Sequence, residues 1–369
     1  MSSVFQPMAI LLDDVLNPIV TRTKSYVRDT TDFINKINTI HCTNDNILLC
    51  TMDVASLYTS IPHDLGIDTV KRNIQELQLP TGVDSMLLQF LEWVLKKNYF
   101  VFENKYYEQS QGTSMGSNVA PAYANLFMAR FEDEFVYTST FWPSICTWLR
   151  YIDDLFFIWQ DTEEKLQSFC EYLNTRLPTI KFTLEFDKTE IHFLDVKVEV
   201  RDGKFETDIY RKPTDKITYL DPKSFHPPTT VSGLPYSQLL RVKRIVSTDS
   251  VFEERADEMM NNFVKRGYKQ EMLEDIKQRV REVDRADLLV KKKARKIDRL
   301  PFVSTFSSQS KQVRRIMYRH WHLLQMDQKL KPWTTNPPIM AYKRPPNLRD
   351  RLVHAVQEPM KKQENRHVG

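Results

Sequence analysis

The stretch Thr147 to Trp159, TWLRYIDDLFFIW, restricts the fold more than any other part of the chain. Two short apolar runs flank a pair of aspartates, with Leu149 and Ile152 on one side and Leu155, Phe156, Phe157, Ile158 and Trp159 on the other. The pattern predicts a buried β-hairpin carrying Asp153 and Asp154 at its tip. Acids beside so apolar a hairpin are costly unless a ligand compensates them. The plainer reading is a turn, where aspartate is common because it caps its own backbone. A second apolar run, Asn46 to Met52 (NILLCTM), reads as a buried strand ending at Asp53. Strand and hairpin can bring three carboxylates to one edge of a sheet. Carboxylates so close raise one another's pKa unless a cation intervenes. Hard oxygen donors suit Mg²⁺, and two such ions can serve an in-line displacement at phosphorus.

The remaining pattern predicts an α+β chain. Residues 8–38 carry helical spacing interrupted by Pro18, and residues 64–98 look helical with a break near Pro80 to Gly82. Phe100 to Tyr107 reads as a hairpin turning at Glu103-Asn104, and Ala120 to Tyr137 as a helix with Pro121 in its first turn, where proline is tolerated. Glu163 to Leu177 is amphipathic, residues 180–211 hold the strand-like runs IKFTLEF, IHFLDVKVEV and FETDIYR, and helical spacing returns from Ser237 to Val290. An antiparallel sheet backed by helices is the simplest arrangement of this order. With 369 residues, two or three subdomains are expected.

Charge divides the chain. From Lys291 onward there are 19 Lys and Arg against 5 Asp and Glu, a net of +14, whereas the first 290 residues carry −10. A basic, proline-rich tail suits a polyanion such as nucleic acid, or is simply a solvated extension. Within it Lys291-Lys292-Lys293-Ala-Arg295-Lys296 reads as a nuclear-import signal or a phosphate patch, and Gln312 to Gln325 as local helix. His320 and His322, two apart, do not share a helix face and are no metal pair. The four cysteines show neither a disulfide framework nor zinc spacing, no apolar run reaches about 18 residues, and the first residues lack a secretory pattern. An intracellular protein, nuclear or cytoplasmic, is expected.

One motif points elsewhere. Gly112-Thr-Ser114-Met-Gly116 matches the Gly-x-Ser-x-Gly elbow of serine esterases, with Ser114 as nucleophile and His192 or His226 as partners. Glu108 to Gln111 is too polar for the buried strand that elbow needs. The same small residues suit a loop that lets backbone approach closely.

Several separated segments, in order, resemble reverse transcriptases. Asp53-Val-Ala-Ser-Leu-Tyr58 looks like palm motif A, Gln111-Gly112 with its small followers like motif B, Tyr151-Ile-Asp-Asp154 like motif C, and Tyr210-Arg211-Lys212-Pro-Thr-Asp215 like the region near the primer grip. More narrowly, MDVASLYTSIPHDLGI, QGTSMGSNVAPAYANLFM, YLDPKSFHP, HWHLLQMD and YKRPPNLRDRLV resemble Penelope-like retroelements, and the likeness runs from about Leu11 to Val353. The resemblance implies a polymerase palm over 46–218, a remnant of fingers and pre-palm helix over 1–45, a helical thumb over 219–290 and a basic connector over 291–369. It implies an RNA-directed DNA polymerase acting on an RNA template, a DNA primer and deoxynucleoside triphosphates. Asp53, Asp153 and Asp154 would hold two Mg²⁺ ions, Tyr58 would sit beneath the incoming sugar, and Gln111 and Gly112 would meet the nucleotide or its template base. Arg211, Lys212, Lys291, Lys292, Lys293, Arg295 and Lys296 would contact the nucleic-acid backbone. Most of the fingers and the GIY-YIG endonuclease of one branch of the family are missing from the pattern, so a fragment is expected. A nucleic-acid-binding remnant without catalysis is the rival expectation.

Overall fold

A computed structural model describes residues 4–40, 47–201, 203–290 and 299–352. Within them, one compact unit comprises residues 4–217, 238–259 and 277–290, and a second comprises 218–237, 260–276 and 299–352.

The first unit opens with α1 (Gln6–Val20) and α2 (Thr30–Ile37). Pro18 lies inside α1 near its end, so it costs one intrahelical bond and the helix stops within a turn. Asp29 caps α2, its carboxylate accepting from the Asp32 N–H at 2.9 Å. Strand β1 (Leu48–Val54) follows, then the single turn α3 (Leu57–Ser60), α4 (His63–Gln75) and α5 (Val83–Lys96). A two-stranded ribbon, β2 (Tyr99–Phe102) and β3 (Lys105–Glu108), turns at Glu103 and Asn104, both at positive φ. That is the backbone a tight two-residue hairpin loop demands. Helix α6 (Ala120–Phe131) runs into a π-turn over Glu132–Val136. Strands β4 (Ile145–Tyr151) and β5 (Asp154–Trp159) form the apolar hairpin, followed by α7 (Glu163–Arg176) and β6 (Phe182–Asp187). The meander β7 (Glu190–Phe193), β8 (Val196–Arg201) and β9 (Lys204–Ile209) makes a second, three-stranded sheet.

The main sheet has the order β4-β5-β1-β6 and is antiparallel throughout. Side chains alternate along a strand, and here both faces are covered. Leu48, Cys50, Met52, Leu155, Phe157 and Trp159 join one apolar cluster with α1, α5, α6 and α7. Leu49, Phe156 and Ile158 join another with Phe33 and Ile34 of α2 and Phe193, Val196 and Val198 of the second sheet. This double burial explains why the β5 run LFFIW is continuously apolar rather than alternating.

Four helices follow: α8 (Pro228–Ile245), α9 (Asp249–Lys265), α10 (Gln270–Arg281) and α11 (Arg285–Leu289). Helix α8 begins nine residues before the start expected at Ser237, because proline at its first position and Pro235 within its early turns do not prevent a helix. In the first unit α9 and α10 meet through Glu253, which accepts from Arg281 and lies 3.0 Å from Lys277 Nζ. The Arg281 hydrogen bond, with help from Lys277, holds the Glu253 carboxyl down at about 2, against an ordinary 4.5. A carboxyl depressed in this way contributes stability above its unfolded-state pKa and loses it as pH falls through the folded one. Glu253→Gln is expected to lower Tm at pH 7, and the gap to wild type to close as pH falls from 4.5 towards 2. Melting curves over that range check it, and a gap that does not change with pH would assign the effect to packing instead.

The second unit also holds β10 (Pro301–Thr305), α12 (Ser310–Gln325), β11 (Ile339–Lys343) and α13 (Leu348–Leu352). The helix was expected; the parallel pairing of β10 with β11 was not. Lys291, Lys292, Lys293, Arg295 and Lys296 lie outside the described residues. No described helix is long and apolar enough to cross a membrane.

Candidate active site

Asp53 and Asp154 are direct cross-strand partners in the register of β1 and β5. Directly opposed residues share a face, with Cβ atoms about 5 Å apart. Asp153 belongs to the two-residue turn, and its carbonyl accepts from the Val54 N–H at 3.2 Å, which ties the tip of the hairpin to β1. The three carboxylates are electrostatically coupled. Burial, then Asp153 and Asp53, pushes Asp154 up to about 6, while Lys212 opposes the shift. Burial, with Asp53 adding to it, also raises Asp153. Lys212 and Asp154 line one cleft of about 170 Å³ with Asp53, Thr183, His192 and Tyr210. The His192 and Tyr210 rings stack in it at 4.1 Å.

Among the described residues, no group of three or more His, Cys, Asp or Glu side chains is placed to hold a metal ion by itself. Asp53 and Asp154 face each other across the register, and Asp153 lies beside them in the turn, electrostatically coupled to both.

Tyr58 stands on α3, directly after Ser56 at φ 52°. Burial first, then Asp153 and Tyr151, raises its hydroxyl pKa, so ring and carboxylates share one environment. The segment 111–113 is locked onto that turn. The Gly112 N–H donates to the Ile61 carbonyl at 2.8 Å and the Thr113 N–H to the Tyr58 carbonyl at 2.6 Å. Gly112 has φ +73°, and a Cβ there would lie 2.4 Å from the Tyr58 carbonyl oxygen and 2.5 Å from Thr59 Cα. Only glycine fits. Gln111, beside it, is exposed. His63 Nε2 donates to the Gly112 carbonyl at 2.7 Å, a clamp the sequence reading passed over. Its signal was local: a histidine at the first position of a helix that follows the Asp53 strand.

The esterase arrangement is not formed. The strand before Ser114 is β3, an exposed antiparallel ribbon ending at Glu108, and Ser114 Oγ accepts from the Gly116 N–H at 3.4 Å. Arg211 is half-buried and Lys212 exposed, and only Lys212 is close enough to influence the carboxylates.

Comparison with known proteins supplies the class. The family model for reverse transcriptase (RNA-dependent DNA polymerase) matches residues 4–221, more than half of the chain, and the chain belongs to that family. A second model, the animal helix-turn-helix domain, matches residues 218–278. No curated protein matches in sequence. Among solved structures, the chain is similar to telomerase from Candida albicans in complex with a TWJ fragment of telomeric RNA, with a TM-score of 0.51 and 9% identity over 91% of this chain and 57% of that one. Apo telomerase from Candida tropicalis gives 0.44 and 10% over 77% and 51%. The RNA polymerase complex inside a dsRNA virus gives 0.48 and 12% over 68% and 24%. The chain thus spans roughly half of the telomerase chains and a quarter of the viral one. At these identities the likeness concerns the fold, which is an α+β polymerase palm.

Proposed function

We propose that this chain is an RNA-directed DNA polymerase of a Penelope-like retroelement, transferring deoxynucleotides onto a primer 3′-hydroxyl, with Asp53, Asp153 and Asp154 as its catalytic carboxylates. The observation that carries the reading is the facing of Asp53 and Asp154 next to a turn bearing Asp153, with the Tyr58 and Gly112 backbones locked together alongside. The donor set fits Mg²⁺, which takes only one or two protein carboxylates and keeps its other positions for water and phosphate. Burial first, and then repulsion among the carboxylates, disfavours the charged forms of Asp153 and Asp154, and a divalent cation would favour them. Asp53 and Asp153 would hold the ions, with Asp154 beside them. When bound, two Mg²⁺ ions would acidify the primer hydroxyl and stabilise the leaving pyrophosphate.

The chain's own residues do the positioning. Tyr58, fixed through its carbonyl, forms the floor under the sugar and disfavours a 2′-hydroxyl. Gly112 lets the backbone of its loop come close to the nucleotide, and exposed Gln111 is free to meet the base or its template partner. Lys212, next to Asp154, faces the primer phosphates, and the basic patch from Lys291 to Lys296 would bind backbone further along. In this reading residues 46–218 are the palm and the helices of 219–290 the thumb that grips the duplex. The enzyme would work in the nucleus or cytoplasm on an RNA template, a DNA primer and deoxynucleoside triphosphates.

Primer extension on poly(rA) with oligo(dT), Mg²⁺ and dTTP tests this. Asp153→Asn is expected to lower the rate by at least about 10²-fold. Wild-type protein that binds the duplex in a salt-dependent manner without extending it would move the function to nucleic-acid binding alone. The helix-turn-helix match over 218–278 favours that second reading.

A further inference from the structure

We infer that the buried ion pair between Arg150 and Glu132 is a positioning device for the carboxylate hairpin. The inference rests on the polymerase reading above. Arg150 lies in β4, two residues before the turn that carries Ile152 and Asp153, and its side chain is wholly buried. Every N–H of its guanidinium is used. Nε donates to Glu132 Oε1 at 2.7 Å, Nη1 to Asn125 Oδ1 at 2.7 Å and to the Ile152 carbonyl at 3.3 Å, and Nη2 to the Asn125 carbonyl at 3.2 Å and to Glu132 Oε2 at 3.4 Å. Glu132 is equally saturated, accepting also from Trp148 Nε1 at 3.0 Å and Ser25 Oγ at 2.5 Å. It opens the π-turn at the end of α6, an irregularity that re-aims a side chain relative to the helix before it. The Arg150 backbone is held as well, its N–H donating to the Ser25 carbonyl at 2.7 Å and its carbonyl accepting from the Val27 N–H at 2.8 Å.

What this network holds is strained. Ile152 sits at φ +57°, in the left-handed region that β-branched residues avoid. Such a conformation persists only when its surroundings over-determine it. A side-chain hydrogen bond from Arg150 reaches the turn, and it ends on the Ile152 carbonyl, at the peptide that leads into Asp153. An apolar pair of similar volume in place of a buried ion pair is often neutral or stabilising, but here it would leave Asn125, the Trp148 Nε1–H and the Ser25 hydroxyl without these partners, which lowers stability. An apolar pair could not reach the Ile152 carbonyl. What the charges add is direction: a planar fork anchored to α6 and aimed at the turn.

The test uses the full chain with Arg150→Met combined with Glu132→Met, read against wild type. The readouts are Tm, Mn²⁺ affinity from the electron paramagnetic resonance of free Mn²⁺, and primer extension. The expected result is a folded protein with a lowered Tm and, measured well below that Tm, Mn²⁺ affinity weaker by about 10-fold or more and extension slower by about 10²-fold. A double variant that binds Mn²⁺ and extends primer like wild type overturns the inference and leaves the polymerase reading standing. If wild type binds Mn²⁺ but extends nothing, the polymerase reading falls and the Mn²⁺ comparison still decides this one. A wild type that does neither overturns both. Should the double variant not fold, Arg150→Lys decides in its place. It keeps the charge and loses the fork, so weakened Mn²⁺ binding supports the inference and wild-type binding overturns it.

Discussion

Replacing Gly112 with alanine is expected to slow primer extension by about 10²-fold or more while leaving most of the fold intact. Two independent costs meet at this position. The φ of +73° is left-handed, and a Cβ would lie within 2.5 Å of backbone atoms of Tyr58 and Thr59. Backbone cannot swing aside as a flexible side chain can, so the segment from Gln111 to Thr113 must lift off the α3 turn. The hydrogen bonds from Gly112 and Thr113 to Ile61 and Tyr58 would stretch, and His63 would lose its carbonyl. Left-handed strain and overpacking together should cost about 2–4 kcal/mol. Gly233→Ala is the control, because nothing lies within 4 Å of a Cβ there. It is expected to be neutral or slightly stabilising within its helix. Steady-state kinetics with dTTP and a melting curve for each variant separate the cases. Wild-type kinetics in Gly112→Ala would show that the segment plays no part in placing the nucleotide.

The largest loss of stability is expected from Arg255→Met. Arg255 of α9 grips Asp208 of β9 through Nε at 3.0 and 3.2 Å and through Nη2 at 2.9 Å, and Asp208 is 8% exposed. Without the guanidinium, the Asp208 carboxylate stays buried with, among the described residues, only the Ile209 N–H still donating to it, at 2.7 Å. Removing one partner of a buried pair costs about 3–5 kcal/mol. Arg255 is partly open to water, so the low end applies, which corresponds to a fall in Tm of roughly 6–12 °C for a unit of this size. Adding Asp208→Leu should recover most of the loss, since the stranded charge is then gone. If the double variant is no better than the single one, packing of the arginine stem and not the buried carboxylate is what mattered.

Many strands and helices within the first 218 residues were legible because they carry their own period or their own turn, whereas IHFLDVKVEV, read as one run, is divided into β7 and β8 after Phe193, where Leu194 has positive φ. Glu103-Asn104 marked the ribbon, Pro80 to Gly82 the break between α4 and α5, and the LFFIW run a strand buried on both faces. A strand ending at Asp53 and a hairpin carrying Asp153 and Asp154 were legible, but the facing of Asp53 with Asp154 in particular comes from the register. Partners that depend on distant residues were not legible. Arg150 inside an apolar strand signals that some acid must be buried with it, but nothing local names Glu132, 18 residues earlier and turned inward by a π-turn. The parallel pair β10 and β11 joins segments with a helix and several prolines between them, and neither five-residue strand alternates strongly enough to be read alone. The helix-turn-helix match over 218–278 falls on residues read as part of a helical thumb over 219–290, because helical periodicity does not encode how helices are set against one another.

The pairing of Asp53 with Asp154 is also a form of quality control. If β5 slipped by one residue against β1, Leu155 would stand opposite Asp53, and Phe156 and Ile158 would exchange faces with Phe157 and Trp159. Both apolar clusters would be ruined at once, because β1 and β5 supply side chains to each. A misaligned sheet therefore cannot survive as a stable but inactive impostor. Molecules that pass the test of burial have, by the same contacts, their carboxylates in place, so in this chain solubility after folding doubles as a report on the geometry of the site.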